Sequence, residues 1–217
     1  MAVYYLMGGR FQSNGLIIKD ILEKKAVKSI LFVDSANRLH NENFARFKAE
    51  FCFMGASYYL YDERLDAKSQ FDDSDLIFFN GGRTEDLMKE AILKDFKSLL
   101  KDDKIYVGVS AGAIMFFDSG YGDKNAYLDN RTYYGFDFTK GLNIFNYLFC
   151  PHYNKEGILS FNEEIKKYDL PGFALTDGAL MKIEDSHFSI IKEKNAESFV
   201  CTKDKIIPLK MGEIYEI

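Results

Sequence analysis

The stretch Asp103–Phe116, DKIYVGVSAGAIMF, decides how the chain is read. Its first part is an apolar run that ends at Val109. Its last part, AGAIMF, begins with small residues and becomes apolar again. Between them one serine stands inside Gly108-Val109-Ser110-Ala111-Gly112. A strand that passes through glycine and serine straight into a helix is a sharp βα turn, and repeated βα turns build parallel sheets.

The same alternation extends upstream. VYYLM (3–7), SILFVD (29–34), SYYLYD (57–62) and DLIFFN (75–80) are short runs rich in β-branched and aromatic residues. Between them, NGLIIKDILEKKA places Ile17, Ile18, Ile21 and Leu22 at helical spacing after Asn14 as a cap. NENFARFKAEFCFMGA does the same with Phe44, Phe47, Phe51 and Met54 and ends at Gly55. TEDLMKEAILKDFKSLLKDD opens on Thr84 as a cap and carries Met88, Ile92, Phe96 and Leu99 on one face. Strands that are apolar throughout are buried on both faces. The expected fold is therefore α/β, a doubly wound, mostly parallel sheet flanked by helices.

After Ser119 the pattern changes. GYGDKNAYLDNRTYYGFDFTKG reads as loops with a hairpin, NYLFCPHYN as a strand entering a polar turn, and EGILSFNEEIKKY as a helix. The rest reads as short strands and turns, which gives a β-rich C-terminal part. No repeat, linker or low-complexity tract interrupts the chain, so one domain over residues 1–217 is expected.

With 217 residues, 47% of them hydrophobic, the chain can bury a proper core. Its net charge of −5 is spread along the sequence, with no basic stripe of the kind nucleic-acid binding uses. The acidic runs YDERLD and QFDDSD read as solvated loops. No apolar run approaches the roughly 18 residues that span a bilayer. MAVYYLMGGR lacks a basic n-region and turns at Gly8-Gly9, so it reads as a buried strand and not a signal peptide. Cys52, Cys150 and Cys201 form no CxxC pair, which disfavours a disulfide framework or zinc cluster and fits a reduced, cytoplasmic setting. Neither a metal nor a cofactor is expected.

A serine at a strand-to-helix turn is held in an unfavourable backbone conformation with its oxygen exposed, and the flanking glycines make room for the crowded turn. The helix that follows aims free N–H groups at the same spot, Ala111 N–H among them. Ser110 is thus a candidate nucleophile; the bland alternative is a capping serine. A nucleophilic serine needs a base. His40 lies in the polar NRLHNEN, where a surface or capping role suffices, and His187 lies in the exposed turn EDSHFS. His152 follows an apolar strand and Pro151, which puts it on the carboxyl edge where parallel sheets bind ligands and where Ser110 stands. Asp177, in LTDGAL, shares that edge and could hold the imidazole; Asp123 is the next candidate for the acid, with Asp118 and Asp129 competing. The strand end Asn80-Gly81-Gly82 lets backbone approach a ligand, so a second oxyanion donor could come from Gly81 or Gly82.

Three segments in this order, FFNGGRTEDL, VGVSAGAIMF and CPHYN, resemble the peptidase E (aspartyl dipeptidase) and cyanophycinase family of serine peptidases. LTDGALMKIE fits the later turn where that family carries an acidic residue, usually Glu, and the resemblance runs from LMGG to about Glu184. It implies a sheet flanked by helices, flavodoxin-like and related to class I glutamine amidotransferase domains. It also implies a Ser-His-Asp triad of Ser110, His152 and Asp177, with Gly82 and Ala111 as oxyanion hole. Asp123 lies near the place of a further aspartate implicated in that family. Relatives often read Gly-Gly-Asn-Thr where this chain has Gly-Gly-Arg-Thr; Arg83 could bind a substrate carboxylate or point to solvent.

The implied function is a serine-type hydrolase that cleaves short peptides through an acyl-enzyme, cutting after an N-terminal aspartate in the narrower version. Cyanophycinase-like or ester hydrolysis, and a non-catalytic binding module, remain alternatives. A small peptide substrate is expected, with no nucleic-acid or membrane partner. The aromatic loop with Tyr133-Tyr134, Phe136 and Phe138 suits either a substrate cleft or the partner in a homodimer.

Overall fold

The computed structural model describes residues 1–10, 13–37, 39–123, 136–154 and 157–216, with backbone alone at 122–123, 136–137 and 157–160. The first half alternates strands and helices: β1 (Val3–Met7), α1 (Asn14–Lys24), β2 (Ser29–Val33), α2 (His40–Glu50), β3 (Ser57–Leu60), α3 (Ala67–Asp72) and β4 (Leu76–Phe79). It continues with α4 (Thr84–Leu93), α5 (Phe96–Leu99), β5 (Ile105–Val109) and α6 (Ala111–Ile114). The second half holds β6 (Phe117–Asp123), β7 (Phe136–Lys140), β8 (Phe145–Cys150), α7 (Gly157–Tyr168) and β9 (Gly172–Leu175). It closes with β10 (Ala179–Glu184), β11 (His187–Lys192), β12 (Ser198–Cys201), β13 (Ile206–Pro208) and β14 (Ile214–Glu216).

These strands form two sheets. The larger has the order β14-β11-β10-β1-β5-β4-β2-β3. Its five N-terminal strands are parallel, and β10, β11 and β14 join antiparallel at one side. The parallel strands bury alternate residues on opposite faces. Tyr5, Met7, Ile30, Phe32, Phe78 and Val107 pack with Ile17 and Ile21 of α1 and Phe47 of α2. Leu6, Leu31, Val33, Ile77, Phe79 and Tyr106 pack with Phe71, Leu87, Met88 and Phe96 from the helices of the other face. Helices on both faces of a parallel sheet make the doubly wound α/β arrangement expected from the continuous apolar strands.

The smaller sheet has the order β13-β12-β9-β8-β6-β7, and β6 and β7 form the antiparallel hairpin foreseen in the Gly- and Tyr-rich segment. It packs on the larger one through aromatic side chains, Phe173 of β9 meeting Phe188 of β11 edge-on at 4.9 Å between ring centroids, while within the smaller sheet Phe117 of β6 stacks on Phe149 of β8 at 4.6 Å. On its other face Phe161 and Ile165 of α7 cover Leu148, Cys150 and Ala174.

Several boundaries differ from those expected. α2 stops at Glu50 and not near Gly55, because the Tyr58 hydroxyl takes over the next backbone groups: Phe53 N–H donates to it at 2.6 Å, and it donates to Phe51 C=O at 2.8 Å. The helix expected over 84–103 breaks at Asp95, which takes a left-handed φ of 49°. Asn14 and Thr84 are first helical residues, with Ser13 and Arg83 in the cap positions. α6 is one turn long; Phe116 and Phe117, both fully buried, turn the chain into β6. Among the described residues no helix is long and apolar enough to cross a membrane.

Candidate active site

Ser110 joins β5 to α6 with φ 51° and ψ −108°, a region L-residues avoid. The two neighbouring glycines permit this turn. A Cβ on Gly108 would lie 2.5 Å from the Gly112 carbonyl oxygen, and one on Gly112 would lie 2.1 Å from that of Phe79 in β4. The Ser110 carbonyl accepts the N–H groups of Ala113 and Ile114 at 2.9 Å, which fastens the serine to the helix start. Ala111 opens that helix, so its N–H has no carbonyl one turn earlier to pair with.

His152 follows β8 and also has a positive φ, 51°. Asp177 follows β9 and precedes Gly178 at φ 77°. Strand ends some distance apart in the sequence thus deliver three side chains to one place. His152 Nε2 lies 2.8 Å from Ser110 Oγ, and His152 Nδ1 lies 2.7 Å from Asp177 Oδ1. An ionised carboxylate can only accept, so Nδ1 carries the hydrogen and Nε2 of the neutral ring faces the serine as an acceptor. A hydroxyl, imidazole and carboxylate joined in this order can pass the serine proton to the imidazole while the carboxylate holds the ring.

The frame that holds them is the end of β1, which sequence reasoning used only as a strand and a turn. Ser110 N–H donates to Met7 C=O at 3.1 Å, His152 N–H to Gly8 C=O at 2.7 Å, and Gly178 N–H to Arg10 C=O at 2.7 Å. One backbone segment, Met7–Arg10, therefore fixes the positions of all three side chains. Gly9 lies beneath them: a Cβ there would stand 1.9 Å from Asp177 Oδ1 and 2.6 Å from His152 Cε1. The signal was in the sequence, since LMGG puts two glycines directly after a strand on the carboxyl edge.

The Gly81-Gly82 turn borders Ser110, a Cβ on Gly81 falling 3.3 Å from Ser110 Cβ. Gly82 has φ 144°, and a Cβ there would press on the Ala36 carbonyl oxygen at 2.5 Å. Next to these residues opens a cleft of about 750 Å³ lined by Ser110, His152, Gly81, Gly82, Arg10, Arg46, Glu50 and a floor that includes Phe47 and Phe51. Among the described residues neither the Arg10 nor the Arg46 guanidinium meets a carboxylate. Arg83 does not line the cleft; it lies 3.3 Å from Asp86 and 3.8 Å from Glu85.

His40 opens α2 with Nδ1 3.5 Å from Asp34, and His187 is exposed at the start of β11. Asp118 accepts from Ser119 at 2.8 Å. Asp123 ends β6, but its side chain, like Phe136, lies outside the described residues, as do Asp129, Tyr133 and Tyr134 altogether. Phe138 packs on Tyr121. Cys150, two residues before His152, does not compete with the serine as nucleophile, because burial pushes its thiol pKa well up and neighbouring Cys201 adds to the shift.

Comparison with known proteins bears on the family and the fold. The family model for peptidase family S51 matches residues 5–191. An uncharacterized peptidase, YgaJ, of Bacillus subtilis (strain 168) is 29% identical over 131 residues, covering 57% of this chain and 54% of that protein. The chain thus spans about half the length of that curated relative. Among solved structures, a peptidase from an acI-B1 Actinobacterium superposes with a TM-score of 0.68 at 15% identity, covering 100% of this chain and 97% of the other. A protein of Listeria monocytogenes EGD-e described as a candidate peptidase E gives 0.64 at 18% identity, covering 89% and 100%. At these identities the two structures speak for the fold alone.

Proposed function

The chain belongs to peptidase family S51, and from that premise we propose that it is a serine peptidase that hydrolyses short peptides through Ser110, His152 and Asp177. The observation that carries this reading is the unbroken chain of contacts, 2.8 Å from Ser110 to His152 and 2.7 Å from His152 to Asp177. Ser110 Oγ attacks the scissile carbonyl carbon as its proton passes to His152 Nε2. Asp177 stabilises the imidazolium by accepting from Nδ1. The N–H groups of Gly82 and Ala111 receive the oxyanion. Collapse of the intermediate expels the amine, which takes the proton from His152 and leaves an acyl-serine. A water, deprotonated by the same imidazole, then releases the acid and restores the serine.

For the side chain before the cleaved bond, the cleft favours an acid. Arg10 and Arg46 line the same cleft as Ser110, two guanidiniums without carboxylate partners among the described residues against the one carboxylate of Glu50, and such groups bind carboxylates in bidentate fashion. An N-terminal aspartate is short enough to present its carboxylate to them while its carbonyl reaches the serine. Arg83, tied to Glu85 and Asp86, has no part in this reading. The test is a panel of Asp-Xaa, Ala-Xaa, Lys-Xaa and β-linked Asp-Arg dipeptides with the wild-type protein, Ser110→Ala and Arg46→Ala. Hydrolysis of Asp-Xaa that vanishes in Ser110→Ala, with KM raised in Arg46→Ala, is the expected outcome. Ser110→Ala at wild-type rate refutes the nucleophile, and a preference for Lys-Xaa refutes the acidic pocket.

A further inference from the structure

Asp34 follows β2, and its side chain has no exposed surface. Burying a carboxylate is costly unless every acceptor site is answered. Here Oδ1 accepts from Asn37 Nδ2 at 2.6 Å and from Asn80 Nδ2 at 2.7 Å. Oδ2 accepts from Asn43 Nδ2 at 2.9 Å, with His40 Nδ1 at 3.5 Å. These partners come from the turn after β2, from α2, and from the turn after β4. The carboxylate therefore ties together the loops on one side of the cleft without touching the Ser110–His152–Asp177 chain.

Asn37 connects this hub to the chemistry. Its amide nitrogen also donates to Gly81 C=O at 2.5 Å, so both of its hydrogens are committed, one to Asp34 and one to the glycine. The flanks of the turn are bound as well, Asn80 N–H to Val33 C=O and Arg83 N–H to Ala36 C=O, both at 2.9 Å. A peptide unit is planar, and in its trans form C=O and N–H point in opposite directions. Gripping the Gly81 carbonyl on the Asn37 side therefore turns the Gly82 N–H away from Asn37, and Gly82 lines the cleft together with Ser110.

We propose that Asp34 and Asn37 are positioning residues that orient the Gly81–Gly82 peptide so that Gly82 N–H meets the oxyanion formed at Ser110. The inference rests on the reading of Ser110 as nucleophile. Asp34 acts only through Asn37 and Asn80. The sequence ended a strand at Asp34 and gave no reason to single it out, since its role exists only once the turns after β2 and β4 are side by side.

The test uses a small uncharged fluorophosphonate, which reacts at the serine whatever the side-chain preference and places a developing negative charge on its phosphoryl oxygen. The labelling rate of Ser110 is measured in the wild-type protein, Asn37→Ala, Asp34→Asn and the double variant, with melting temperatures alongside. Deleting an oxyanion donor outright costs about 10²–10³ in rate, so misaiming one is expected to slow labelling by about tenfold to a hundredfold. Because both residues act on one peptide, the double variant is expected to be no slower than the slower single one. Steady-state KM for the best dipeptide should stay put while kcat, counted per folded molecule at a temperature well below each variant's melting transition, falls. Wild-type labelling rates in Asn37→Ala, or rates that fall only in step with melting temperature, overturn the inference and leave the nucleophile standing. Should Asp34→Asn not fold, Asn37→Ala alone decides. A wild-type protein that takes no label on Ser110 overturns the hydrolase reading, and this inference with it.

Discussion

Replacing Gly9 with alanine adds one methyl group beneath the proposed acid–base pair. The new Cβ would start 1.9 Å from Asp177 Oδ1 and 2.6 Å from His152 Nδ1, whereas Cβ contacts under 3.0 Å are essentially never seen. The carboxylate oxygen must therefore retreat by about 1.1 Å, and the imidazole by about 0.4 Å. Either movement breaks the 2.7 Å bond between them or bends it out of line. A misplacement of about 1 Å near reacting groups can cost about a hundredfold, and loss of the acid from a triad costs about 10⁴ in kcat. Gly9→Ala is thus expected to lower kcat by between about 10² and 10⁴, or about 3–5 kcal/mol in the barrier. Stability should suffer little, because the two displaced side chains are 59% and 54% exposed and can move outward. The assay is steady-state hydrolysis of the best dipeptide from the panel, with thermal unfolding in parallel. Gly15→Ala is the control: nothing lies within 4 Å of a Cβ there, so kcat should not change. A Gly9→Ala protein with wild-type kcat would refute the claim that the end of β1 holds the pair in register.

Phe117→Ala empties the buried stack against Phe149 in the smaller sheet and should cost about 3–5 kcal/mol, read as a lower urea midpoint at unchanged slope. Of the three thiols, exposed Cys52 should react with an aromatic disulfide reagent in the native state, while Cys150 and Cys201 wait for unfolding. Burial pushes the Cys201 thiol pKa up to about 12, and equal reactivity of all three would contradict that burial. The ammonium groups of Lys101 and then Lys68 hold the Asp72 carboxyl at about 2, below its ordinary 3.8. A depressed carboxyl favours the folded state above its ordinary pKa, and that contribution fades as pH falls from about 4 through about 2. Asp72→Asn should flatten this acid limb of the stability curve, and an unchanged limb would deny the two lysines their role.

Much of the fold was legible because it follows from local patterning. VYYLM, and the ILFV and LIFF inside SILFVD and DLIFFN, are runs without a charged residue, as strands covered on both faces require. Helix ends were less legible, because tertiary contacts set them: α2 yields to the Tyr58 hydroxyl, and α6 yields after one turn to two buried phenylalanines. Ser110, His152 and Asp177 could be placed on one edge one by one, since each follows an apolar strand, and they meet there. What the sequence withheld was the support. Gly9 matters through a distance to residues 143 and 168 positions away, and Asn37 through one carbonyl across the cleft. Nothing in the sequence singles out Arg46 within α2, and its place on the cleft follows only from how that helix packs.

The proposed hydrolysis depends most on a reactive hydroxyl at position 110 activated by the imidazole at 152. The direct measurement is mass spectrometry of the protein after brief exposure to the fluorophosphonate, with the modified peptide sequenced, in the wild type and in His152→Ala. One adduct per chain on Ser110 in the wild type, and almost none in His152→Ala, is the predicted result. An adduct on another residue, or equal labelling of Ser110 without the imidazole, would contradict it.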